Sequence, residues 1–126
     1  MARESYSLEF LVRSSPAILY KFLTTPSGLI QWFCDECDVT DDVYVFAWDG
    51  AEEEALLEVD IEHEHVRFRW ADGPEDEYFD FQIAKSEISN DTVLTVTDFA
   101  DDFEVEDQRL LWQNQLEQLA RAIGGG

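Results

Sequence analysis

Two short motifs hold the residues of this 126-residue sequence best suited to redox or metal chemistry, Cys34-Asp35-Glu36-Cys37 and His63-Glu64-His65. Two thiols separated by two residues can form a redox dithiol, and two thiols with two imidazoles match the donor set of tetrahedral zinc. The surroundings argue against both. A reactive dithiol stands at a helix N-terminus in a βαβ unit, whereas Cys34 and Cys37 follow the predicted end of a helix, among acids that raise a thiol pKa. The two pairs lie far apart in the chain, and His-x-His at a hairpin tip lacks the spacing of a zinc-ligand pair. The sequence therefore predicts small, half-buried cysteines at a joint and histidines at a turn surface, with no metal and no cofactor.

Motifs for catalysis are missing as well. There is no nucleophile elbow, phosphate loop, dinucleotide fingerprint or EF-hand loop, and neither histidine has a Ser or Cys nucleophile beside it. A non-enzymatic role is the expectation.

The elements that would position any site follow from periodicity. Tyr6, Leu8, Phe10 and Val12 alternate with polar residues and predict a first strand over 4–13. Ser15-Pro16 and Thr25-Pro26 each place a capping hydroxyl before a proline, which predicts two short helices carrying Ile18, Leu19, Phe22 and Leu23, then Leu29, Ile30, Trp32 and Phe33. From 36 to 99 the pattern is nearly all strand, with turns at Gly50, at Asp72-Gly73-Pro74 and at Asn90-Asp91. A two-residue hairpin loop at His63 and Glu64 would set Asp60 opposite Arg67 and Glu58 opposite Arg69. Acids from Asp101 to Asp107 suit a helix N-terminus, and Trp112, Leu116, Leu119 and Ile123 then share one face of a long final helix. The fold class is α+β: an antiparallel sheet of about six strands, two short helices after the first strand, and a C-terminal helix covering the apolar sheet face.

Composition limits the partners. Asp and Glu number 29 against 8 Lys and Arg, a formal net charge of −21, and such a surface repels nucleic-acid backbones and anionic lipid. No segment approaches the ~20 apolar residues of a membrane helix, and the start has no signal-peptide pattern, so a cytoplasmic protein is expected. Residues 1–123 read as one domain, followed by a flexible Gly124-Gly125-Gly126 tail.

The stretch SSPAILYKFLTTPSGLIQWF at 14–33, the strand run after it and LLWQNQLEQLARAI at 110–123 carry a family likeness. The chain resembles the START-like superfamily, with its helix-grip fold, and within it the branch like the C-terminal domain of activator of Hsp90 ATPase. The resemblance implies a curved sheet gripping the last helix around a cavity for a small hydrophobic molecule or lipid. Its candidate lining is Phe68, Trp70, Phe79, Phe81, Trp112 and Leu116, with Trp32 near the mouth. Some relatives with this fold are enzymes, and a buried acid in that cavity could act as a base. The alternative is an acidic protein-interaction module that meets a basic partner through Asp41, Asp42, Glu52, Glu53, Glu54 and the acids of 101–107. Leu11, Leu56 and open sheet edges are compatible with a homodimer as well as a monomer.

Overall fold

Tyr6, Leu8 and Val12 turn one face of the first strand inward, and the computed structural model, which describes residues 2–124, pairs that strand with the last one. β1 (Arg3–Val12) runs antiparallel to β7 (Thr92–Asp101). Between them come β2 (Glu36–Thr40), β3 (Val43–Trp48), β4 (Ala51–Ile61), β5 (His65–Trp70) and β6 (Phe79–Lys85). They make one antiparallel sheet of seven strands in the order β1-β7-β6-β5-β4-β3-β2, with β1 and β2 at its edges. That is one strand more than the sequence predicts. The addition is β2, where Cys37 and Val39, half-buried against the core, alternate with exposed Glu36, Asp38 and Thr40; two apolar positions make too short a pattern to stand out.

The helices begin as their caps predict. Ser15 Oγ accepts from the Ile18 amide at 3.2 Å ahead of α1 (Pro16–Thr24), and Thr25 Oγ1 accepts from the Gly28 amide at 3.1 Å ahead of α2 (Pro26–Leu29). α2 folds back so closely that a Cβ on Gly28 would lie 2.6 Å from both the Lys21 carbonyl oxygen and the Phe22 Cα. A short 3₁₀ turn (Asp102–Glu104) leads into α3 (Val105–Gly124). Gly124 is thus the last helical residue instead of the start of a tail, and Gly125 and Gly126 lie outside the described residues.

The β4–β5 hairpin departs from the predicted register. Ile61 pairs with His65, which leaves a three-residue loop, and His63 takes a left-handed φ of 65° within it. Val59, not Asp60, then faces Arg67, and a bulge at Glu58 restores the ladder so that Leu57 faces Phe68 and Leu56 faces Arg69. Arg69 still reaches Glu58 at 2.8 Å, but Asp60 is turned to the helix side, where the Tyr20 hydroxyl donates to it. A regular two-residue hairpin cannot anticipate an inserted residue.

One face of the sheet carries the core. Phe46, Phe68, Phe81, Leu94 and Val96 from the strands meet Leu19 and Leu23 of α1 and Leu116 and Leu119 of α3, all with no solvent-accessible surface. The curved sheet closed over by the long final helix is the helix-grip arrangement.

Candidate functional site

The middle of the gap between sheet and α3 is filled by these side chains; the space lies at one end. There α3 lifts from the ends of β3 and β5, leaving a cleft of about 310 Å³. Phe33, Trp48, Trp70, Phe79 and Trp112 form its aromatic wall, and Gln108, Leu111, Asn114, Gln115 and Gln118 line it from α3. The rings brace one another: Trp70 and Phe79 centroids stand 4.9 Å apart, Phe33 and Trp48 5.4 Å, and Phe33 stacks on both Phe79 and Trp112. Indole hydrogen bonds fix the wall further. Trp48 Nε1 donates to the Phe33 carbonyl at 2.7 Å and Trp112 Nε1 donates to Asp98 Oδ2 at 3.0 Å. Trp70, half-exposed at the mouth, has no such partner among the described residues.

Asp98 is the one ionisable residue in this lining. It lies opposite Tyr6 on the neighbouring strand, whose hydroxyl is 3.5 Å from Oδ2, and its Oδ1 accepts from the Phe99 amide at 2.8 Å. Burial raises the Asp98 carboxyl above the usual aspartate value, against the pull of those neutral donors. Burial, followed by the charge of Asp98, likewise raises the Tyr6 phenol. The arrangement can hold an apolar body against ring faces and a polar group against a carboxylate and side-chain amides.

Comparison with known proteins agrees with the fold. The family model of the START-like superfamily domain matches residues 1–125. The chain belongs to the START-like superfamily. Its solved neighbours include the solution structure of BfR322 from Bacteroides fragilis, at 31% identity and TM-score 0.71 over 97% of this chain and 92% of that one. The Aha1 dimer from Colwellia psychrerythraea matches at 21% identity and TM-score 0.81, covering 95% of this chain and 96% of the other. DynU16, a putative protein in the dynemicin biosynthetic locus, matches at 20% identity and TM-score 0.80 over 95% of this chain and 47% of its own. Among curated proteins, none matches the sequence.

Of the residues expected to line a cavity in this START-like domain, Trp70, Phe79 and Trp112 stand on the cleft. Phe68, Phe81 and Leu116 are sealed in the core, and Trp32 lies on the far side of Phe33, its Nε1 donating to the Phe22 carbonyl at 2.8 Å. Phe33, Trp48, Asp98 and the α3 glutamines were missed. Asp98 had a signal: it follows Leu94 and Val96 at a spacing of two, in the register that points inward. Gln108, Gln115 and Gln118 had one too, since they flank the apolar face of α3.

The chemically suggestive motifs lie elsewhere in the START-like fold. Cys34 and Cys37 are free thiols at the entry to β2, and burial, with Cys37 and Asp35 nearby, pushes Cys34 up to about 12. His63 sits at the exposed hairpin loop with its ring edge-on to Tyr20, while His65 Nε2 meets Asp80 Oδ2 at 2.6 Å on the sheet's outer face, where Arg67 Nε donates to the same oxygen at 2.7 Å. Among the described residues no group of three or more His, Cys, Asp and Glu is arranged to hold a metal.

Proposed function

We propose that this START-like domain, acting as a single unit over residues 1–123 in the cytoplasm, binds a small hydrophobic molecule in the cleft at the Trp48 and Trp70 end of the sheet, without catalysing a reaction on it. The observation that carries the proposal is the cleft itself: about 310 Å³ of space against five braced aromatic side chains. That volume is at the small end of the range for ligand sites, and each Å² of aromatic surface removed from water contributes ~25 cal/mol. Binding is favoured over catalysis because Asp98 has no nucleophile or second acid-base group beside it in the lining. Native mass spectrometry of protein purified from its own host tests the reading. The expected result is a reproducible extra mass that is lost on denaturation and diminished in Trp70→Ala. A bare mass in both, with no stabilisation by a panel of lipids and metabolites, would overturn it.

The second reading is an acidic module that engages a basic protein, as an Hsp90 ATPase activator domain would. Its support is the likeness to the Aha1 dimer, a likeness of fold, together with the exposed Asp41, Asp42, Glu52, Glu53 and Glu54. The same neighbour supports a homodimer. Binding through that surface weakens steeply as salt rises, whereas occupancy of the cleft, which rests on buried apolar contact, weakens much less. A partner retained at high salt would count against the acidic surface.

A further inference from the structure

The aromatic wall and the lone carboxylate at its foot together specify a charge as well as a shape. We infer that the ligand of the cleft is an amphipathic cation, its apolar body lying on Trp48, Trp70 and Phe79 and its protonated amine or quaternary ammonium held against Asp98. The inference rests on the ligand-binding reading above and gives it a chemical class.

Three features of the site carry it. The lining contains one carboxylate and no Lys, Arg or His, so an anionic amphiphile such as a fatty acid would set its carboxylate beside another with no base to neutralise either. A neutral ligand would strip water from Asp98 and give no charge in return. A cation does the opposite on both counts, and the faces of Trp and Phe rings, negative in their quadrupole, attract it further.

Asp98 is also free to take such a partner. Its three hydrogen-bond donors, Trp112 Nε1, the Tyr6 hydroxyl and the Phe99 amide, are all neutral, and a carboxylate has about four acceptor positions. The charge of Arg3 reaches Asp98 and lowers its carboxyl slightly, against the rise from burial, but both arginines on the elements packed around it have nearer partners. Arg3 of β1 holds Glu77 at 2.6 Å and lies 3.6 Å from Asp101, while Arg109 of α3 donates to the Ser7 carbonyl at 2.6 Å with its guanidinium over the Tyr6 ring. Glu53, Glu54 and Asp72 surround Trp70 on one side, and Glu77 and Glu104 lie on the other together with Arg3, which Glu77 holds. With a net charge of −21 behind them, these acids draw cations toward the mouth and repel anions.

Three probes of one shape and different charge test this: naphthylmethylamine, naphthylmethanol and naphthoate, titrated by calorimetry and by tryptophan fluorescence. The amine is expected to bind about tenfold or more tighter than the alcohol at neutral pH, with naphthoate weakest. Asp98→Asn, nearly isosteric, should remove most of the amine's advantage over the alcohol, with circular dichroism reporting that the variant is folded. On acidification the amine stays charged while Asp98 takes up a proton, so the amine's advantage shrinks, beginning above the pH expected of an exposed aspartate. Alcohol binding as tight as amine binding in the wild type would overturn the cation and leave the hydrophobic site standing. Failure of all three probes to bind would overturn the site, and the cation with it.

Discussion

Asp98 accepts three neutral hydrogen bonds and still has its carboxyl raised by burial, which makes it an expense to the folded state at neutral pH. Between the ordinary aspartate value of 3.8 and the raised native one, the folded protein holds more protons than the unfolded chain. Stability from this group is therefore present at low pH and falls as pH rises through the native pKa. Asp98→Asn does not titrate, so its melting temperature relative to wild type should climb as pH rises from the ordinary aspartate value through the raised native one. Paired thermal melts across that range check the sign, and a constant difference would mean Asp98 is not desolvated. A residue that lowers stability yet lines a cleft is where function is expected to have been favoured over stability.

At the scale of elements, the close return of α2 on α1 and the seating of α3 make different demands. Gly28→Ala must push its Cβ against backbone at 2.6 Å, where no side chain can swing away, and should cost roughly 1–3 kcal/mol in denaturant melts. Leu116→Ala opens a void beneath α3 and should cost ~2–5 kcal/mol. Trp70→Ala, at a half-exposed position, should cost less than Leu116→Ala while removing most of the binding, and that separation distinguishes wall from core. The same contrast shows what was legible beforehand. Caps at Ser15 and Thr25, the alternation of β1 and the stripe from Trp112 to Ile123 are local signals, and each element stands within a residue or so of its expected place. The bulge at Glu58 carries no periodic signal, and the alternation of β2 is only two apolar residues long. Nor does periodicity say which end of the gap under α3 stays open, because that depends on how Phe33, arriving from the loop after α2, stacks between Phe79 and Trp112. Inward position could be read for Phe68, Phe79 and Phe81 alike; exposure to a cleft could not.

For the molecule as a whole, a formal net charge of −21 on 126 residues acts against compactness at every pH where the carboxylates are ionised. Raising salt from about 0.01 M to about 0.15 M shortens the reach of that repulsion, so the melting temperature should rise across the series, and an unchanged or falling value would show that local ion pairs outweigh the self-repulsion. Some pairs do oppose the trend: Arg3 with Glu77 and Arg69 with Glu58 are each within 2.8 Å, but they neutralise few of the acids.

Among the described residues the sheet is open at both edges, β1 and β2, each presenting a row of backbone groups with no neighbouring strand. Glu4, Glu9, Glu36 and Asp38 stand on those two strands. Their charge serves as colloidal protection, keeping one copy's edge from templating on another's. The protection is on loan from pH. Near the isoelectric point of about 4.1 it vanishes while the folded edges persist, so light scattering should rise sharply there under conditions where circular dichroism still reports native sheet.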